Sequence, residues 1–183
     1  MQADQLIQTS IEQTQSLIQQ AELLQHLDLS ALTWKEHETS WSVLECLEHL
    51  NRYGDFYLPC ITQKIKNASL NTDPVFKPGL LGNYFANMML PKEKLNKMKT
   101  FKDKNPLHSK LDPKVIGTFI QQQHQLLELL EKSKTINLNA VKIPTTISSL
   151  IKIKLGDTYR FYINHMIRHF QQIDRVKAKA LHG

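Results

Sequence analysis

No stretch of this 183-residue chain is apolar for long enough to cross a bilayer, and its start, MQADQLIQTS, lacks the basic segment and apolar run of a secretory leader. The expectation is a soluble, cytoplasmic protein with no membrane partner. Cysteine is scarce: Cys46 and Cys60 are the only two, and the helical pattern sets them on one helix about four turns apart, beyond disulfide reach. Reduced thiols suit a cytoplasm. Convincing strand patterns, internal repeats and low-complexity segments are also missing. With 41% hydrophobic residues the chain is long enough for one cored domain and too short to divide comfortably, so residues 1–183 are expected to form a single domain.

The net charge of +6 is unevenly spread. Most of the surplus lies in PKEKLNKMKTFKDK, where Lys92, Lys94, Lys97, Lys99, Lys102 and Lys104 face only Glu93 and Asp103. Neither a recognition-helix signature nor aromatic residues interleaved with the basic ones accompany them. The segment therefore reads as a solvated connector, and nucleic acid is not expected as a partner.

What the chain does contain is helical periodicity. From about Ala3 to His26, the residues Leu6, Ile7, Ile11, Thr14, Leu17, Ile18, Ala21 and Leu24 recur at helical spacing. A second helix opens at SWSVLECLEHL, where Ser42 as N-cap and Glu45 three residues on predict a capping box, with Trp41 as the outer half of a hydrophobic staple. Its apolar stripe is Val43, Leu47, Leu50, Tyr57, Ile61 and Ile65; Pro59 is expected to kink or shorten it. The third begins at LDPKVIGTF, with Asp112 as N-cap and Pro113 in the first helical position, and continues to about Ser133. The fourth runs from near Gly156 and Asp157, the latter read as a cap, to about Ala180. It buries Tyr159, Tyr162, Ile163, Met166, Phe170, Ile173 and Val176 and turns Arg160, Arg168, Arg175 and Lys177 outward.

Four such helices predict an all-α four-helix bundle. The segment from about Ala68 to Lys110 is too long for an ordinary connection; broken by Pro74, Pro78, Pro91 and Pro106, it carries a short helix at Gly79 to Leu90. A crossover of that length lets helices two and three run the same way. A second connector, about Lys134 to Leu155, holds Pro144 and the run IPTTISSLIKIK and is expected to cover one end of the bundle.

The chemistry-bearing feature is the pair His165 and His169 in HMIRHFQQIDRV. A spacing of four puts both imidazoles on one helix face, about one turn apart, where they can share a divalent ion. The stripe Thr158, Tyr162, His165, His169, Gln172, Val176 borders the buried face. On the second helix His49 lies in the stripe Ser42, Cys46, His49, Tyr53, Phe56, Cys60 and can also point inward. Two imidazoles from one helix and one from another make the three-histidine set of an open metal site. A hydrogen-bonded core histidine is the plain alternative for each. His124 is a reserve ligand and Cys46 a soft substitute for one, whereas His26, His37, His108 and His182 carry no spacing signal.

The order of these pieces, WSVLECLEHL, a long crossover, then LGDTYRFYINHMIRHFQQIDRV, resembles the DinB/YfiT-like superfamily of metal-dependent enzymes across nearly the whole chain. The resemblance implies a DinB-like bundle with His49, His165 and His169 as metal ligands; Trp41 and Gln172 match the family's Trp before the cap and Gln after the pair. It also implies a small-molecule substrate, a low-molecular-weight thiol such as bacillithiol as cosubstrate in some members, and a homodimer. Family activities include thiol transfer, thiol-dependent isomerisation and hydrolysis.

Three neutral imidazoles leave a divalent ion its full charge, which favours hydroxide or thiolate at the fourth position. The sequence reading is thus a metal-dependent thiol transferase or hydrolase, acting through a metal-bound thiolate or water, with a non-catalytic binding or interaction bundle as the alternative. Zinc leads, with nickel, iron or manganese also suited to imidazole. Gln172 and Tyr162 are assigned positioning roles, and Glu45 is read as a cap rather than as the group that orients His49.

Overall fold

The apolar stripes become the buried faces of four long helices in the computed structural model, which describes residues 1–90 and 100–182. Lys92, Lys94, Lys97 and Lys99, with Pro91, lie outside the described residues. The elements run α1 (Ala3–Leu24), α2 (Leu29–Thr33), α3 (Val43–Lys66), α4 (Leu80–Met88), a 3-10 turn (Lys102–Lys104), α5 (Lys114–Ser133), β1 (Lys142–Pro144), β2 (Lys152–Lys154) and α6 (Leu155–His182). Around the bundle, α1 and α3 each pack on α5 and on α6.

Local chemistry sets the helix starts. The Ser42 hydroxyl accepts the Glu45 N–H at 3.2 Å, and Glu45 Oε2 accepts the Ser42 N–H at 2.9 Å, closing the capping box of α3. At α5, Asp112 Oδ1 accepts the Lys114 N–H at 2.8 Å, and Pro113 has helical torsions. Pro59 does not shorten α3, which continues to Lys66. Pro59 and Asp55 face solvent while Ile61 and Ile65 stay buried, so the carbonyl released by the missing N–H lies on the wet side.

The crossover gives α3 and α5 the same direction. Near their N-termini the Asn51 side chain donates to the Val115 carbonyl at 3.0 Å, and past their C-termini Leu70 bridges to Ile136. In contrast, α6 runs against α3: Tyr53 meets His165, and Tyr57, one turn later, meets Phe161. The second connector, expected to be free of strands, folds into a two-stranded antiparallel ribbon in which buried Ile143 pairs with buried Ile153. Strands of three residues are too short to show a period-two pattern.

Asp157 does not cap the helix on which it sits. It lies inside α6, fully buried, and its Oδ2 accepts the Gly79 N–H at 2.8 Å, anchoring the start of α4 from across the connector. Arg160, paired with Asp157 at 3.3 Å, extends the clamp to Asn83 and Asn87, and Asn164 donates to the Ala86 carbonyl at 3.0 Å. Gly82 makes this seating possible, because a Cβ there would lie 2.5 Å from Asp157 Cβ. A Gly82→Ala variant should be destabilised by about 1–3 kcal/mol, as an overpacked contact is. That lowers Tm by roughly 2–4 °C per kcal/mol at this chain length. An unchanged melting curve would show that α4 does not rest on Asp157.

Candidate metal centre

His49 stands in the second turn of α3, and His165 and His169 occupy successive turns in the middle of α6. The antiparallel crossing brings all three together. His165 Nε2 lies 3.1 Å from His49 Nε2 and 3.0 Å from His169 Nε2, and the three ring nitrogens fall within 4.8 Å of one another. A tetrahedral ion with metal–nitrogen bonds near 2.05 Å holds its ligands about 3.3 Å apart, close to these separations.

The protons of these rings can be placed from their partners. His49 Nδ1 donates to the Lys104 carbonyl at 2.7 Å, since a carbonyl only accepts, and this leaves Nε2 of the neutral ring bare. His169 Nδ1 donates to Gln172 Oε1 at 3.0 Å with the same consequence. Two lone pairs therefore converge on His165 Nε2, which can supply at most one proton. At least one of the two short contacts is lone pair against lone pair, and His165 Nδ1 is itself buried without a hydrogen-bond partner among the described residues. A cation among the three nitrogens removes the conflict, so the donor set fits a divalent ion.

Protonation is not available as a substitute. Burial pushes His49 down from 6.5 to about 4, and burial together with the neighbouring imidazoles holds His165 and His169 well below the ordinary histidine range. Cys46 lies outside the three-residue cluster, its thiol pushed up by burial, and His124 is exposed.

The cluster opens into a cleft of about 990 Å³. Trp41 forms part of its wall, its ring 4.7 Å from His49 and stacked 5.8 Å from His169. The staple position identified Trp41, but not this contact. Thr145, Thr146 and Ile147, at the turn of the β-ribbon, line another side. Gln172 also lines the cleft, and its oxygen is engaged by His169. Tyr162 is buried against Tyr57 and is not among the described residues that line the cleft.

Arg168, expected to point outward, is buried and lines the cleft, so α6's covered surface extends beyond its apolar stripe. Sequence reading also missed Lys104. Its ammonium donates to the Arg52 carbonyl at 3.0 Å and its own carbonyl orients His49, a backbone role that no side-chain pattern announces. Glu45 does not touch His49; beyond the cap it receives Lys35 at 2.6 Å and the His108 N–H at 3.0 Å.

A family model described as the DinB superfamily matches residues 11–173. The fold is also similar to that of a solved structure, YfiT from Bacillus subtilis, described as a probable metal-dependent hydrolase with an unusual four-helix bundle topology. The TM-score is 0.55 at 14% identity, over 96% of this chain and 86% of that one. No curated protein matches this chain.

The buried rings tie stability to pH. The unfolded chain binds protons at these histidines below about 6.5, whereas folded His49 does so only near 4, so the unfolded state gains protons first. In chelator, the stability due to His49 should be complete above pH 6.5 and lost as pH falls toward 4. Thermal melts across that window should show a shallower decline in His49→Gln than in the parent; parallel declines would contradict the depressed value.

Proposed function

The chain belongs to the DinB superfamily, and on that footing we propose that it is a metal-dependent hydrolase whose ion is held by His49, His165 and His169. The observation that carries this reading is the convergence of bare imidazole nitrogens in the wall of a substrate-sized cleft. When bound, a divalent ion keeps its full charge among three neutral ligands and brings the pKa of a water or thiol at its remaining position toward neutrality. Zinc is the first assignment, with nickel, iron and manganese compatible with imidazole donors.

The chain's own residues account for the remaining requirements. Lys104 and Gln172 accept the Nδ1 protons of His49 and His169 and so fix their tautomers, which strengthens an imidazole as a ligand through its other nitrogen. Tyr53 and Phe161 pack against His165 at 4.5 and 5.9 Å and hold its ring, whose Nδ1 has no hydrogen-bond partner among the described residues. Trp41 packs against the rings of His49 and His169. YfiT's description as a probable metal-dependent hydrolase supports the hydrolytic reading. Thiol transfer is the second reading, favoured by a cleft near 990 Å³, at the upper end of the usual range for ligand pockets and with room for a cosubstrate beside an electrophile.

Metal analysis tests the proposal. After loading and desalting, the parent should retain about one ion per chain and His165→Ala/His169→Ala close to none, with circular dichroism establishing that both are folded. Trp41 emission should change on loading in the parent and stay constant in the double variant. Equal, near-zero metal in both proteins would overturn the reading. With metal established, hydrolysis of ester and amide panels, compared with consumption of a low-molecular-weight thiol, separates the two reactions.

A further inference from the structure

The cleft is polarised along α6. Its lining residues on that helix, in order, are Phe161, His165, Arg168, His169, Gln172 and Arg175, so the rise of about 1.5 Å per residue ranks them along one axis. On the N-terminal side of the histidines the wall is apolar: Phe161 stacks on His165, Phe85 packs on Phe161 at 6.5 Å, and Met88 and Ile153 continue the surface. On the other side α6 contributes two arginines, beside the Trp41 ring stacked on His169. Arg168 stands beside His169, and Arg175 lies six residues further, about 9 Å along the axis.

The one carboxylate among the described lining residues does not neutralise Arg175. Glu36 also lines the cleft, but Lys179 pairs with it and matches its charge. Arg175 is exposed and, among the described residues, has no ion pair or hydrogen bond of its own. An exposed arginine is ordinary on a helix surface. One that faces a cleft, in line with a histidine cluster and an aromatic wall, is placed to be met by a ligand.

We propose that the substrate is an amphipathic anion, with an apolar group against Phe161, Phe85 and Met88 and a carboxylate or phosphate on Arg175, so that its reacting bond spans the histidines between them. This rests on the catalytic reading of the same cleft and names the substrate class that the reading leaves open. The order of the wall sets the orientation. Reversal would press the anion against the faces of Phe161 and Phe85, whose negative quadrupole repels it, and set the apolar group against the Arg175 guanidinium.

The test uses the full chain in chelator, so that no ion can ligate the probes. Ligand-observed NMR titrations compare 4-phenylbutyrate and 4-phenylbutyl phosphate with 4-phenyl-1-butanol. At least one anion should bind the parent about tenfold more tightly than the alcohol, as a charge-assisted hydrogen bond provides. Arg175→Gln should remove that preference and leave alcohol binding unchanged, whereas Arg175→Lys should keep most of it. Equal affinities for all three probes in the parent, or an undiminished preference in Arg175→Gln, would overturn the proposal. Because the titration is metal-free, its failure is distinguishable from failure of the metal analysis, which leaves Arg175 untouched.

Discussion

Where α3 crosses α6 in the opposite direction, Tyr57 packs on Phe161, Tyr53 on His165, and His49 on both histidines of the pair. Each step of one turn up α3 is a step of one turn down α6. The contact buries aromatic area, which is the main driving term in holding two helices together, and it carries the three imidazoles to a common point. The polar cluster is thus held by an apolar seam, so its unfavourable lone-pair contacts are enforced by packing rather than chosen by the rings themselves.

The segments outside the bundle complete what the seam begins. Glu45, almost fully buried, joins the α3 cap to Lys35 and to the backbone of His108, fastening the connectors on either side of the site to the helix that carries His49. His108 adopts a positive φ of 65°, a conformation uncommon for a side-chain-bearing residue, at the position where its N–H meets that carboxylate. Nearby, Arg52 reaches the Asn105 carbonyl at 2.8 Å and holds the same connector against α3. The loop carrying the Lys104 carbonyl is consequently fixed just beyond that residue, and the tautomer of His49 depends on it.

The remaining walls reflect a division of labour among elements that pack little apolar surface of their own. The start of α4 is tied by the buried Asp157 carboxylate and brings Phe85 and Met88 to the cleft. The β-ribbon seats Ile143 and Ile153 inward and projects Thr145, Thr146 and Ile147 toward the same space. The bundle supplies rigidity and the histidines, while short connectors supply shape, the usual partition between scaffold and ligand-facing loops.

By itself the sequence determined the four long helices, the capping box at Ser42 and Glu45, the parallel run of α3 and α5 across a long crossover, and the face on which His165 and His169 lie. The parallel run follows from the length of the crossover and the others from local spacing, both of which are written in the chain. Only the tertiary structure decided that the His49 ring meets that pair at 3.1 Å, that Trp41 and Lys104 serve the histidines, that Asp157 anchors α4 instead of capping α6, and that Arg168 turns into the cleft. Those relations join residues far apart along the chain, several through backbone atoms that every residue type possesses. The register of one helix on another, which settles them, comes from packing across the whole core and leaves no periodic trace in the residues it brings together.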